Sequence, residues 1–290
     1  MAIILDGKKV SAALKEKQRA SVDKLKLKLV TPTLAIIRVG RRPEDISYEK
    51  SAVKRLEAIG AAVRVFELDA GANMYELLDV ISRVNKDESI HGALLFRPLP
   101  GHMSVNTVRN ALSVEKDIDG ISDMALAGVF TGNMQGFAPC TADAVMEILR
   151  YYGYGLKGKR VTVIGRSLVI GRPLAMMLME RGATVTICHT GTADLPAACR
   201  TADILAAAAG KAGLIGEGCF SPGQVVIDVG INIGEDGQMR GDVDFAAAEP
   251  IVSAITPVPG GVGAVTSAML AEHLIRAAER AAHMKSFTIL

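Results

Sequence analysis

Tyr48 stands near the start of SYEKSAVKRLEAIG (residues 47–60), a stretch that reads as one helix. A lysine four residues after a tyrosine would share its helix face, and the two could work as a pair in moving protons. Here that position is Ala52. Lys50 and Lys54 flank it in sequence but not in space, because at about 100° per residue each lies roughly 200° around the helix from position 52. Arg55 is seven after Tyr48 and shares its face, but it sits about 10 Å further along the axis. A guanidinium also stays protonated and cannot act as a base. Lys50 and Lys54 therefore read as solvated helix charges. From the spacing alone, Tyr48 is either a core residue or part of a catalytic site that has lost its partner.

A second chemistry is carried by VTVIGRSLVIGRPLAMML (161–178), a strand, a glycine turn and a helix. Gly165 lets the chain leave the strand, and Gly171 allows backbone to approach a ligand or a neighbouring strand closely. The free N–H groups and positive dipole at the helix start suit a pyrophosphate. The spacing is G-x-S-x-x-x-G and not the generic G-x-G-x-x-G, so an ordinary glycine-marked strand-to-helix turn is the competing reading. The next strand ends in CHTGT (188–192) with no Asp or Glu for ribose hydroxyls. With Arg166 in the first turn, the pattern leans to NADP over NAD.

Elements must hold these groups in place, and the chain supplies them in alternation. Apolar runs at 33–40, 61–68 and 92–96 alternate with helical stretches, and each suits a parallel strand covered on both faces. After about residue 140 the pattern restarts, with Thr141 a candidate N-cap, strands at 159–165, 183–189, 202–210 and 224–230, and a long helix from about 262. Strand–helix alternation of this kind implies right-handed crossovers in an α/β fold. The 290 residues suffice for two modest domains, and the formal net charge of +2 argues against nucleic-acid or membrane-surface partners drawn by bulk charge. No apolar stretch is long enough for a membrane span, and MAIILDGKKV does not read as a signal peptide. Cys140, Cys188, Cys199 and Cys219 show no CxxC spacing, which fits reduced thiols in a cytoplasmic protein. The five histidines show no metal-ligand spacing, so no metal is expected.

Six stretches in order resemble one family: VIGRSLVIGRP, KDIDG (116–120), PCT (139–141), VIDVGIN (226–232), GDVDF (241–245) and TPVPGGVGAVT (256–266). Together they are similar to the methylenetetrahydrofolate dehydrogenase/cyclohydrolase family over nearly the whole chain. The resemblance implies two α/β lobes. One is an N-terminal folate-binding lobe, residues 1–140 completed by a C-terminal helix (265–290) that returns to it. The other is a Rossmann-like dinucleotide-binding lobe, residues 141–264. It also implies a homodimer, a folate substrate with a one-carbon bridge, and NADP as acceptor. By the resemblance, Asp119 is the pterin anchor, where a carboxylate accepts two hydrogen bonds from an aminopyrimidine-type edge. Pro259, Gly260, Gly261 and Thr266 fall on the substrate side. Ser167, Thr190, Gly210 and Ile231 join Gly165, Arg166 and Gly171 at the cofactor.

The resemblance also marks what has changed. The family's Tyr-x-x-x-Lys has Ala52 at the lysine position, and its Gln in VQLPLP aligns with Phe96 of LFRPLP. A buried Gln without its Lys would leave polar atoms unmet, at roughly 1–3 kcal/mol, and Phe removes that penalty. Oxidation moves a hydride and no proton, whereas ring opening by water needs protons taken and delivered. The expectation is a dehydrogenase with Tyr48 and Asp119 at its centre and little cyclohydrolase activity. The alternatives are a bifunctional enzyme with a substitute proton-transfer group, and a folate- or nucleotide-binding protein without chemistry.

Overall fold

The computed structural model describes residues 1–133 and 135–288. They form two compact units, one of Met1–Ala13 with Thr141–Ala268 and the other of Leu14–Cys140 with the chain from Met269 onward. The chain starts with β1 (Ile3–Ile4) and α1 (Gly7–Lys26), and α1 runs from the first of these units into the second.

In the second unit β2 (Thr33–Val39), α2 (Pro43–Glu57), β3 (Ala62–Leu68), α3 (Met74–Lys86) and β4 (Gly92–Leu95) follow in turn. The strands make a parallel sheet in the order β3-β2-β4, with Leu34 opposite both Val63 and Gly92. All of β2 is buried, as suits a central strand, and its one charged residue, Arg38, is ion-paired with Glu49 and Glu67. Its Ala35, Ile37 and Val39 pack with Leu77, Ile81 and Val84 of α3. β3 differs from the sequence expectation: it is the edge strand, and Arg64, Val65 and Glu67 are exposed. Helix α2 is locally well specified, with Pro43 at its start, Glu44 and Asp45 in the first turn, and Lys54 and Arg55 in the last. Helix α3 begins with a capping box between Asn73 and Glu76. Two short helices follow, α4 (Val105–Ala111) and α5 (Asp123–Thr131).

The first unit resumes at α6 (Cys140–Tyr151). Thr141 is therefore inside the first turn and not the N-cap expected from sequence, since helical geometry already starts at Cys140. Next come β5 (Arg160–Ile164), α7 (Gly171–Glu180), β6 (Thr184–Cys188), α8 (Leu195–Arg200), β7 (Ile204–Ala207) and β8 (Val225–Asp228). A small antiparallel pair follows, β9 (Asn232–Ile233) with β10 (Met239–Arg240), then α9 (Phe245–Ala248), β11 (Ala254–Ile255) and α10 (Val262–Thr288). The sheet order is β1-β11-β8-β7-β5-β6, parallel throughout. The boundary drawn from sequence put residues 1–140 in one lobe, yet the first 13 residues cluster with 141–268. The reason is β1, which pairs Ile3 with Ala254 and Ile4 with Ile255 at the sheet edge. Strand order reverses at β5, with β6 on one side and β7 on the other. Open parallel sheets bind ligands outside the C-terminal ends of strands at such a point.

Candidate active site

In the unit of residues 14–140 and 269–288, the KDIDG run is almost wholly consumed by scaffolding. Lys116 Nζ donates to Val84 O, Asn85 O and Asp87 O (2.7–2.9 Å), closing the C-terminal end of α3. Asp117 is fully buried and its carboxylate accepts from the Ile121 and Ser122 N–H groups. Ile118 is in the core, and its carbonyl accepts from His273 Nδ1 (2.8 Å) and the Cys140 thiol (3.3 Å). Gly120 has φ +66°, and a Cβ there would collide with the 137–139 backbone. Asp119 is the member with no backbone duty in the hydrogen-bond pattern, and 24 % of its side chain remains exposed. This distinguishes it from an ordinary D-G turn residue.

Several groups converge on Asp119. Burial pushes its carboxyl up to about 6, opposed first by Arg97. Asp117 raises it further, and Cys140 and His273 favour the ionised form. Arg97 Nη2 lies 3.4 Å from Asp119 Oδ2. The Tyr48 hydroxyl is held above its ordinary range by burial and then by the Asp119 carboxylate and Cys140. It can donate a hydrogen bond at neutral pH but is a poor proton carrier. The Tyr48 ring packs against Phe96, with centroids 5.6 Å apart and planes at 53°. Ala52 and Phe96 are both buried. Lys50 and Lys54 are exposed, and the Arg55 guanidinium donates to Gln18 Oε1 at 3.3 Å.

In the other unit, Gly165 ends β5 with φ +117°, and a Cβ there would strike Ala208 O just after β7. Gly171 is buried at the start of α7, where a Cβ would strike Gly165 O. Its need for glycine is thus met by close packing of helix on turn. Between them Arg166 and Ser167 are exposed, and Ser167 Oγ accepts from Ile170 N at 3.1 Å. After β6, His189 Nδ1 accepts from Gly191 N and Thr192 Oγ1 accepts from His189 N, a tight turn that leaves Thr190 exposed. His189 therefore has a structural partner of its own.

Two acids explain why VIDVGIN and GDVDF have the composition they do. Asp228, at the end of β8, accepts from Gly230, Asp242 and Val243 N–H groups, each at 3.0 Å. Asp242 accepts from Ala209, Gly210 and Lys211 N–H groups and from Asn232 Nδ2 (2.6–3.0 Å). The glycines serve the acids reciprocally, since a Cβ at Gly241 would overlap the Asp228 carboxylate and one at Gly230 would overlap that of Asp242. The loop carrying Gly210 is thereby tied to the loop carrying Ile231. Burial pushes Asp228 up to about 6 despite its three backbone donors. A cavity of about 280 Å³ is lined by Gly230, Ile231 and the 257–264 loop. In that loop Gly261 is buried against Pro257 O, Gly260 has φ +103°, and Pro259 is exposed. Thr266 Oγ1 donates back to Val262 O within α10.

Sequence reasoning assigns no role to Arg97 of LFRPLP, and none of their own to Asp228 and Asp242 within VIDVGIN and GDVDF. It also missed Cys140 and His273 beneath Asp119. Among the described residues no group of three His, Cys, Asp or Glu is placed to hold a metal ion, and no helix is long and apolar enough to cross a membrane.

Two family models match the chain. The tetrahydrofolate dehydrogenase/cyclohydrolase catalytic domain matches residues 5–119, and the NAD(P)-binding domain of the same family matches residues 139–282. A bifunctional protein FolD from Clostridium botulinum is 45 % identical over 280 residues, covering 97 % of this chain and 99 % of that protein. The chain belongs to the tetrahydrofolate dehydrogenase/cyclohydrolase family. Among solved structures, the bifunctional FolD of Campylobacter jejuni is 40 % identical with a TM-score of 0.94, covering 97 % of this chain and 99 % of that one. The Trypanosoma brucei FolD, solved with NADP cofactor and an inhibitor, is 33 % identical with a TM-score of 0.89, covering 96 % and 98 %. In this member of the tetrahydrofolate dehydrogenase/cyclohydrolase family, Ala52 and Phe96 stand beside Tyr48 where the resemblance leads one to expect a lysine and a glutamine.

Proposed function

We propose that this chain oxidises methylenetetrahydrofolate to methenyltetrahydrofolate with NADP as hydride acceptor, and that its cyclohydrolase activity is weak or lost. The observation that carries the reading is the pairing of a part-exposed Asp119, spared from scaffolding, with a Tyr48 whose helix neighbour is Ala52 and whose ring partner is Phe96. Asp119 as carboxylate accepts two hydrogen bonds from the pterin edge and sets its register. Tyr48 and Phe96 supply aromatic walls, with Ala52 behind them. Pro259, Gly260 and Gly261 let backbone come close to a flat ring, and Thr266 lies one turn into the helix that follows.

The donor set of the other unit fits a dinucleotide with an extra phosphate. The exposed turn at Ser167 and the N-terminal dipole of α7 face a phosphate favourably, Arg166 supplies a cation, and residues 188–192 after β6 hold no acid to repel it. Thr190, Gly210 and Ile231 complete the surround, and Gly171 holds helix to turn. When bound, NADP supplies the hydride acceptor. Because no proton leaves the bridging carbon in that step, what the chain contributes is alignment and exclusion of water. Hydration of the resulting cation is different. A water must lose a proton and a ring nitrogen must gain one, and neither Tyr48 nor Arg97 is suited to exchange it.

A homodimer and a cytoplasmic location belong to the same proposal. Both are supported by family membership, and the location also by four buried cysteines that form no disulfide among the described residues; light scattering of the purified protein tests the dimer. The activity is tested by mixing enzyme, methylenetetrahydrofolate and NADP and following NADPH and methenyl absorbance together. Both should rise in step and the methenyl signal should decay at the buffer rate. Decay many times faster than in buffer overturns the loss of cyclohydrolase, and absence of NADPH overturns the dehydrogenase itself.

A further inference from the structure

The loop after β4 turns two adjacent side chains to different tasks. Phe96 goes to the Tyr48 ring, and Arg97 goes to Asp119. The Arg97–Asp119 contact is a single one at 3.4 Å, longer than a charge-assisted bond in ideal geometry, and both side chains are partly exposed (30 % and 24 %). So the guanidinium stands beside the carboxylate without occupying both of its oxygens, and Asp119 keeps acceptor capacity for a ligand. A carboxylate has about four lone-pair sites; once protonated it becomes a donor at one oxygen and loses the double-acceptor pattern.

What faces Asp119 is mixed. Asp117, two residues earlier, is a buried acid that repels its charge. Tyr48 comes from α2, Cys140 from the start of α6 and His273 from α10. Arg97 is the guanidinium among them and the largest influence favouring the ionised acid. Position 52 has no amine, and position 97 carries a cation that does not exchange protons.

We infer that Arg97 is a positioning residue for folate binding, whose guanidinium keeps Asp119 a double hydrogen-bond acceptor at neutral pH and so fixes the register of an aminopyrimidine-type edge. This rests on the functional reading above. The site keeps a positive charge next to its anchor while having none that can shuttle protons.

Two measurements separate this inference from the reading beneath it. The first uses the protein alone, with aspartate carboxyls labelled with carbon-13 and the Asp119 signal identified by its loss in Asp119→Asn. Its titration midpoint should rise by about one unit or more in Arg97→Leu and stay near wild type in Arg97→Lys, as expected for an opposite charge removed from within about 4–6 Å. The second follows KM for methylenetetrahydrofolate against pH. Arg97→Leu should raise KM roughly fivefold at pH 6, converging on wild type by pH 9, because one unit of midpoint is a tenfold change in protonation equilibrium. Arg97→Lys should track wild type throughout. A midpoint unmoved by Arg97→Leu, or a KM increase equal at every pH, overturns the role of Arg97. A wild-type protein without NADP-linked oxidation overturns the functional reading instead, and the titration of Asp119 still decides the role of Arg97. If Arg97→Leu fails to fold, Arg97→Gln removes the charge while keeping a polar side chain and is read the same way.

Discussion

Tyr48 keeps its ring against Phe96 and has buried Ala52 one turn further along α2. A proton relay could be put back there only with both partners. Ala52→Lys alone would bury an ammonium on an apolar helix face, and such a group neutralises or destabilises the fold. Phe96→Gln alone would leave a buried amide with unmet bonds, at roughly 1–3 kcal/mol. The two changes share a site, so their effects should be strongly non-additive. We expect Ala52→Lys/Phe96→Gln to open the methenyl ring about 10²-fold or more faster than wild type, within the range of general acid–base catalysis. Each single variant should gain little and melt at a lower temperature. Decay of methenyl absorbance on adding each protein measures this, and a double variant no faster than its parents would show that position 52 is not the missing base.

At the scale of elements, the braces around Asp228 and Asp242 carry the next prediction. Asp242 is fully buried and accepts three backbone N–H groups and one side-chain amide. Asp242→Asn puts an NH₂ where a carboxylate oxygen accepted, so at least one buried donor faces another donor. The loss should be about 1–3 kcal/mol, read from denaturant unfolding, with faster hydrogen exchange at residues 209–211 than elsewhere in the same unit. Exchange that speeds up evenly across the unit would mean that Asp242 does not specifically hold that loop. These braces were not legible in the sequence. An acid ending an apolar run looks the same whether it points to solvent or folds back, and the backbone donors of Asp242 lie 31 to 33 residues away. Asp119 was legible only through resemblance, because its D-G setting by itself describes a turn. What separates it from Asp117 is which of the two carboxylates the following backbone claims. Arg97 went unassigned because its partner lies 22 residues on.

For the molecule as a whole, alternating apolar runs and helical stretches were enough to give two parallel-sheet units, since buried central strands such as β2 and β5 announce themselves by composition. The place of β1 was not, because two residues pair with a strand some 250 positions later and carry no periodicity of their own. The unit that β1 joins is also the one whose turn holds Arg166, so its stability should report the cofactor directly. A ligand that binds only the folded state at about 100 times its Kd stabilises it by about 2.7 kcal/mol, which for a unit of this size is roughly a 5–10 °C rise in Tm. NADP should produce such a rise and NAD at equal concentration a smaller one. Arg166 is exposed, so Arg166→Ala should leave the ligand-free Tm near wild type while removing most of the difference between the two nucleotides. The effect is electrostatic: with no acid in residues 188–192, what favours the extra phosphate is the cation, and without it both nucleotides bind through the same turn and helix start. Thermal unfolding of wild type and Arg166→Ala with each nucleotide measures this. If NADP keeps its full advantage in the variant, the extra phosphate is read by another group, and the exposed turn at His189–Thr192 is the next place to substitute.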